Sequence, residues 1–269
     1  MSKAYRRQKQ ALKDLDMIWA HPEHTNVIHY SCESFYDRPD GSSPRITSIA
    51  ARNLKTGQTL SFSIHKFGEL EGYPIDQLDA HYNKLEKAML DAFFEFAKDK
   101  RDYKWVHWNM RDENYGFHAL ELRHRILHGE PFTILDEKKY DLSRVLVGIY
   151  GKAYTGHPRL ESLMLMNHIS NRGFKTGKEE AELFDEGNYV ALHQSTLCKA
   201  DILSNICQLA YEGDLKTNSK WYQLNCHSIE AFMAWFSKHP IISFIIVAMS
   251  LLANMIYFWQ MFSGFGGRI

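Results

Sequence analysis

The residues best suited to metal binding or nucleophilic chemistry in this 269-residue chain include 14 histidines and four cysteines, and their spacing does not gather them. Cys32, Cys198, Cys207 and Cys226 form no Cys-x-x-Cys pair. Neither a zinc site nor a disulfide framework is legible, and isolated cysteines of this kind usually fill cores in a reducing compartment. His21 and His24 lack a nearby third ligand, and His118, His124 and His128 do not share one helical face. No HExxH, Walker A or GxSxG motif occurs. The glycines of Gly173-Phe-Lys-Thr-Gly177-Lys178 are too close together for a phosphate loop, and a helix start accounts for them better.

The carboxylates are more informative. Val27 to Phe35 reads as a strand with His29, Ser31 and Glu33 on one face and Ile28, Tyr30 and Cys32 on the other. His107, Asn109 and Asp112 lie on or just after a later strand, and His193, Lys199 and Asp201 lie on a late helix. Phosphodiester cleavage by metal ions needs several carboxylates from separate elements around ions about 4 Å apart. Taken singly, each acid also has a plain role: Glu33 ends a strand, Asp112 caps a helix and Asp201 lies on a solvated helix face.

The elements that must position these residues follow from periodicity. Ile46–Arg52 and Thr59–His65 read as strands joined by a hairpin link ending Thr-Gly57-Gln58. Leu78–Lys100 is an amphipathic helix with Leu85, Met89, Phe93 and Phe96 on one stripe. Tyr103–Met110 is expected as a strand, Tyr115–Leu127 as a helix and Phe132–Leu135 as a short strand. Asp141 is placed to cap a helix opening at Leu142. A further helical stretch runs over Leu160–Ile169, a capping box at Thr176–Glu179 opens the next helix, and His193–Tyr211 is a longer one. The expected organisation is an amphipathic helix over 1–24, a mixed α/β domain over 25–215 and a juxtamembrane helix over 216–239. A transmembrane helix over 240–263 and a short tail over 264–269 complete it.

The transmembrane expectation rests on Ile241–Phe262, about 22 residues without a formal charge, enough for roughly 30 Å of bilayer core. Tyr257, Phe258 and Trp259 are placed like an interfacial belt, and Asn254 invites a helix partner, hence a homo-oligomer. Lys216, Lys220 and Lys238 before the segment, against Arg268 after it, orient the large N-terminal part to the cytosol. Basic and acidic residues balance at 32 each, so no global attraction to nucleic acid is expected. Arg101, Lys104, Arg111, Arg123 and Arg125 leave room for a local basic face.

A three-strand meander followed by a βαβαβ pattern resembles the ribonuclease H-like fold over roughly 27–212, and in particular the DEDD family of 3′–5′ exonucleases. Ile28-His-Tyr-Ser31-Cys-Glu33 is similar to the family's first Asp-x-Glu motif, with Ser31 at the Asp position. Val106-His-Trp-Asn109-Met-Arg-Asp112 and His193-Gln-Ser-Thr196-Leu-Cys-Lys199-Ala-Asp201 are similar to its later motifs. The resemblance implies Mg²⁺ or Mn²⁺ held by Glu33, Asp112 and Asp201, assistance from His193 or Lys199, and substrate contacts from Ser31, His107 and Asn109. It implies a membrane-tethered nuclease or, with Ser31 weakening the metal site, a non-catalytic relative. The relative would bind a nucleotide, nucleic acid or a protein, and signal through the membrane helix.

Overall fold

Thr25–Cys32 forms the first strand, β1, which lies at the centre of the sheet with both of its faces covered. Ile28, Tyr30 and Cys32 pack into one apolar core, while Val27 belongs to a second core on the opposite face. His29 and Ser31 alternate onto that opposite face, as period-two geometry requires. The computed structural model describes residues 3–33, 43–111, 115–220 and 229–265. Asp112 lies outside them, as do Pro39 to Ser42 of the stretch Pro39–Pro44, whose prolines, Gly41 and two serines lead one to expect a loop.

β2 (Ile46–Asn53) pairs antiparallel with β1, and β3 (Thr59–Ser63) pairs antiparallel with β2. β4 (Lys104–His107) and β5 (Lys139–Asp141) then add in parallel on the other side of β1. The result is a mixed five-stranded sheet of order β3-β2-β1-β4-β5 in an α/β fold. The strands of the meander fall where alternation puts them. The fifth does not: Lys139–Asp141 pairs with β4, and Phe132–Leu135 is not a strand. Ile134 of that stretch is buried as a core side chain instead.

Helices cover both faces. On one side lie α2 (Ile64–Leu70), α3 (Tyr82–Asp99) and α4 (Phe117–Ile126), with Leu85, Met89 and Phe93 of α3 in the first core. On the other lie α1 (Lys3–Trp19), α5 (Leu142–Tyr150) and α6 (Arg159–Met166), joined in the second core by α8 (Tyr189–Glu212). α7 (Gly177–Asp185) opens with the expected capping box, Thr176 accepting from the Glu179 amide and Glu179 accepting from the Thr176 amide. Asp141 caps α5, and Gly213 closes α8 in the left-handed conformation. The N-terminal helix is part of the fold, since Ala11, Leu15 and Ile18 are buried in the second core.

α9 (Ile229–Lys238) leads into α10 (Pro240–Phe265), whose Phe244, Leu252, Met255 and Trp259 are exposed. Among the described residues no helix is long and apolar enough to cross a membrane. α10 runs 26 residues, from Pro240 to Phe265. Ser243, Ser250 and Asn254 interrupt the apolar run there. The expected single-pass span and the cytosolic orientation drawn from it are corrected accordingly.

Candidate functional site

Of the three acids expected to hold a metal, the structure describes Glu33 and Asp201 and sets them apart. Glu33 follows the carboxyl end of β1 and is held by Arg45, with Nη2 at 3.1 Å and Nε at 3.3 Å. The same guanidinium lies over the rings of Tyr82 and Phe184 at 4.8 and 4.7 Å. Asp201 on α8 is 3.0 Å from Arg52. Arg52 is the register partner of Val27, at the other end of β1. About 20 Å of strand separates these anchor points, whereas paired metal ions sit about 4 Å apart. Glu33 and Asp201 are therefore not brought together. Among the described residues no group of three or more His, Cys, Asp or Glu could hold a metal ion.

Ser31, His193 and Lys199 do converge, in a buried polar layer between β1, β2 and α8. Lys199 Nζ is 2.7 Å from Glu180 Oε1, and that oxygen also accepts from Ser195 at 2.7 Å and Ser31 at 3.2 Å. Ser31 Oγ is 2.8 Å from Thr196 Oγ1. His193 bridges two strands, its Nδ1 2.7 Å from Ser48 Oγ and its Nε2 3.3 Å from Ser61 Oγ. Burial drives the His193 pKa down to about 3, with Lys66 and His65 adding like-charge repulsion, so its ring is neutral. Glu180, which completes this layer, was not singled out by sequence. It reads as one of two adjacent acids in the first turn of a capped helix.

A cleft opens elsewhere, beyond the carboxyl ends of the parallel strands β4 and β5. This is where open α/β sheets bind ligands. Its volume is 930 Å³, and it is walled by α1 (Arg7, Asp14), β4 and its following loop (His107, Arg111), and β5 with α5 (Asp141, Arg144). His107, expected as a substrate contact, lines this cleft, whereas Asn109, expected as another, follows β4 without lining it. His107 Nδ1 accepts from the Met110 amide at 3.2 Å, which leaves Nε2 to carry the ring proton. Burial lowers its pKa to about 4 against the opposing pull of Asp141, so the imidazole is a neutral donor near pH 7. Asn109 has a positive φ of 56° and accepts through Oδ1 from Arg111 at 2.8 Å. After glycine, Asn is among the residues that tolerate this backbone most readily, and here it turns the chain just after β4.

The cleft's charges fall into two kinds. Arg111 is paired with the nearly buried Asp141, and Lys139 with Asp136 at 2.9 Å. Arg7 and Arg144 have no ion-pair partner among the described residues. Asp14 and Glu137 likewise have no ion-pair partner among the described residues, so the cleft offers two unengaged guanidiniums beside two carboxylates without an ion pair, a neutral imidazole donor and the side chain of Phe117. Guanidinium forks match phosphate and carboxylate oxygens in geometry as well as charge.

No family model, no curated protein and no solved structure matches the chain. The likeness to DEDD exonucleases drawn from motif spacing is corrected by this result. The physical reason is that Glu33 and Asp201 are committed to different arginines at opposite ends of β1.

Proposed function

We propose that the chain is a non-catalytic binding module for a phosphate-bearing ligand of the nucleotide class, seated in the cleft beyond β4 and β5. The observation that carries this reading is the pair of unengaged guanidiniums, Arg7 and Arg144, lining a 930 Å³ cleft at the ligand-binding edge of a parallel strand pair. Arg144 lies in the first turn of α5, where the helix dipole adds to its charge. The His107 Nε2–H donates to a base or ribose oxygen, and Phe117 gives an apolar wall. We read the sheet order as the ribonuclease H-like arrangement, which favours such ligands by fold analogy alone.

Binding without metal-dependent turnover is favoured because Glu33 and Asp201, two of the three acids expected to serve a metal, are held by Arg45 and Arg52. The test is a thermal-shift screen of the full chain against nucleoside mono-, di- and triphosphates and inorganic phosphate, beside Arg144→Ala. A ligand at 100 times its Kd stabilises by about 2.7 kcal/mol, a readily measured shift. Stabilisation by a nucleotide that Arg144→Ala abolishes supports the proposal; no shift with any of them refutes it.

A further inference from the structure

The 930 Å³ cleft does not end at Arg7. A second cavity of 320 Å³ shares Arg7 and Gly148 with it and continues past Gln8, Tyr150 and Lys152. α1 and α5 run antiparallel here: Asp14 and Ala11 line the cleft with Arg144, while Ala4 and Gln8 line the second cavity with Tyr150 and Lys152. The helices touch closely between the two, since a Cβ added at Gly148 would lie 2.5 Å from Ala11 Cβ. The Gln8 amide reaches Ile149 O at 3.3 Å and fixes the far end of the contact.

The charge of the two cavities differs. The first is lined by four arginine or lysine side chains and four carboxylates, whereas the second has Arg7 and Lys152 and no carboxylate. Lys152 has no ion-pair partner among the described residues. Arg144, Arg7 and Lys152 thus form a cationic track along α5, with about 9 Å of helix between Arg144 and Tyr150. That length exceeds what a single phosphate group can engage. Tyr150 also lines the second cavity, and cations beside an aromatic residue suit a sugar-phosphate chain carrying bases.

We infer that the second cavity is a subsite for a second phosphate, so that the ligand is a dinucleotide unit rather than a mononucleotide. This rests on the nucleotide reading of the first cleft. The unit is either a free dinucleotide or a step within a longer single strand, and the two share the chemistry the track recognises. Arg144 holds one phosphate, Lys152 the other, and Arg7 lies between them.

The experiment titrates the full chain, by calorimetry, with adenosine monophosphate, with the 5′-phosphorylated dinucleotide pApA and with a 5′-phosphorylated oligoadenylate of eight nucleotides. Wild type, Lys152→Ala and Arg144→Ala are compared. pApA is expected to bind about tenfold more tightly than the monophosphate. Lys152→Ala is expected to erase that advantage and leave monophosphate binding unchanged, with a salt dependence of pApA binding shallower by about one phosphate contact. An oligoadenylate that binds more tightly than pApA identifies the strand as the source; equal affinity identifies the dinucleotide. If the monophosphate binds and pApA gains nothing, or Lys152→Ala leaves the gain intact, the second subsite is refuted while the first cleft stands. If neither ligand binds, the nucleotide reading fails and the subsite with it.

Discussion

Lys199 Nζ sits 2.7 Å from Glu180 Oε1, and the two side chains are only 7% and 0% exposed. An ammonium and a carboxylate removed from water together lose several kcal/mol of hydration each, which their attraction and neighbouring hydrogen bonds must offset. Ser31 and Ser195 supply those hydrogen bonds to Glu180. The layer beneath α8 therefore carries its own fixed cation.

Removing one partner should expose this. Lys199→Met leaves Glu180 charged and buried, and should destabilise the fold by about 3–5 kcal/mol. The double variant Lys199→Met, Glu180→Leu should lose clearly less than Lys199→Met alone, because no stranded charge remains. Urea unfolding of these two chains, of Glu180→Leu alone and of the wild type measures the coupling. Additive losses would mean that the pair is not a unit.

Acid should weaken the protein before its carboxylates titrate. Burial holds His107 at about 4 and His193 at about 3, and pushes His29 well below its usual value. The unfolded chain takes up these protons near pH 6.5, whereas the folded chain refuses them until the lower pKa is reached. The stability they contribute is thus complete above about pH 6.5 and is lost as pH falls toward 4 for His107 and 3 for His193. Each unit of separation is worth about 1.4 kcal/mol. Unfolding free energies at pH 7, 6, 5 and 4 should fall throughout, with a shallower slope in His107→Asn. A flat profile between pH 7 and 5 would contradict the buried neutral rings.

The seat of α1 on α5 is close enough to test with one methyl group. Gly148→Ala places Cβ 2.5 Å from Ala11 Cβ, so α1 must move or the variant must lose stability, by about 1–3 kcal/mol. Ala11→Gly in the same chain should restore part of the loss. Thermal melting of the single and double variants reads this out, and an unchanged Gly148→Ala would mean that the helices are not packed at this point.

Glu33→Gln tests the assignment of that acid to structure. It weakens a half-buried bidentate contact with Arg45 and should cost about 1 kcal/mol of stability. It should leave nucleotide binding at the β4–β5 cleft unchanged. Loss of binding with full stability would place Glu33 in a ligand site instead.

Much of the architecture was legible because local rules governed it. The alternation of Ile28, Tyr30 and Cys32 against His29 and Ser31 gave β1, and Thr176 with Glu179 and Asp141 before Leu142 gave two helix starts. β5 was displaced because its place is set by parallel pairing with β4, while the more β-like Phe132–Leu135 buries Ile134 without joining the sheet. Ile64 and His65 continued the strand alternation of Leu60 and Phe62, yet they begin α2. The candidate site was less legible still. Glu180 meets Ser31 across 149 residues, a separation that no local pattern signals. Of the two expected contacts on this side of the sheet, His107 lines the main cleft and Asn109 is not among its lining residues. Arg7 and Arg144, which line it with His107, come from helices whose crossing only the fold reveals.

The central claim is that the β4–β5 cleft holds a phosphate-bearing ligand, and Arg144→Glu tests it most directly. The substitution reverses a charge on the exposed first turn of α5, where neither core is touched. Calorimetric titration of the wild-type chain with the tightest nucleotide from the thermal-shift screen should give saturable binding that weakens as salt rises. Arg144→Glu should bind at least tenfold more weakly at unchanged melting temperature. Equal affinity in the two chains, or no binding by the wild type, would contradict the account.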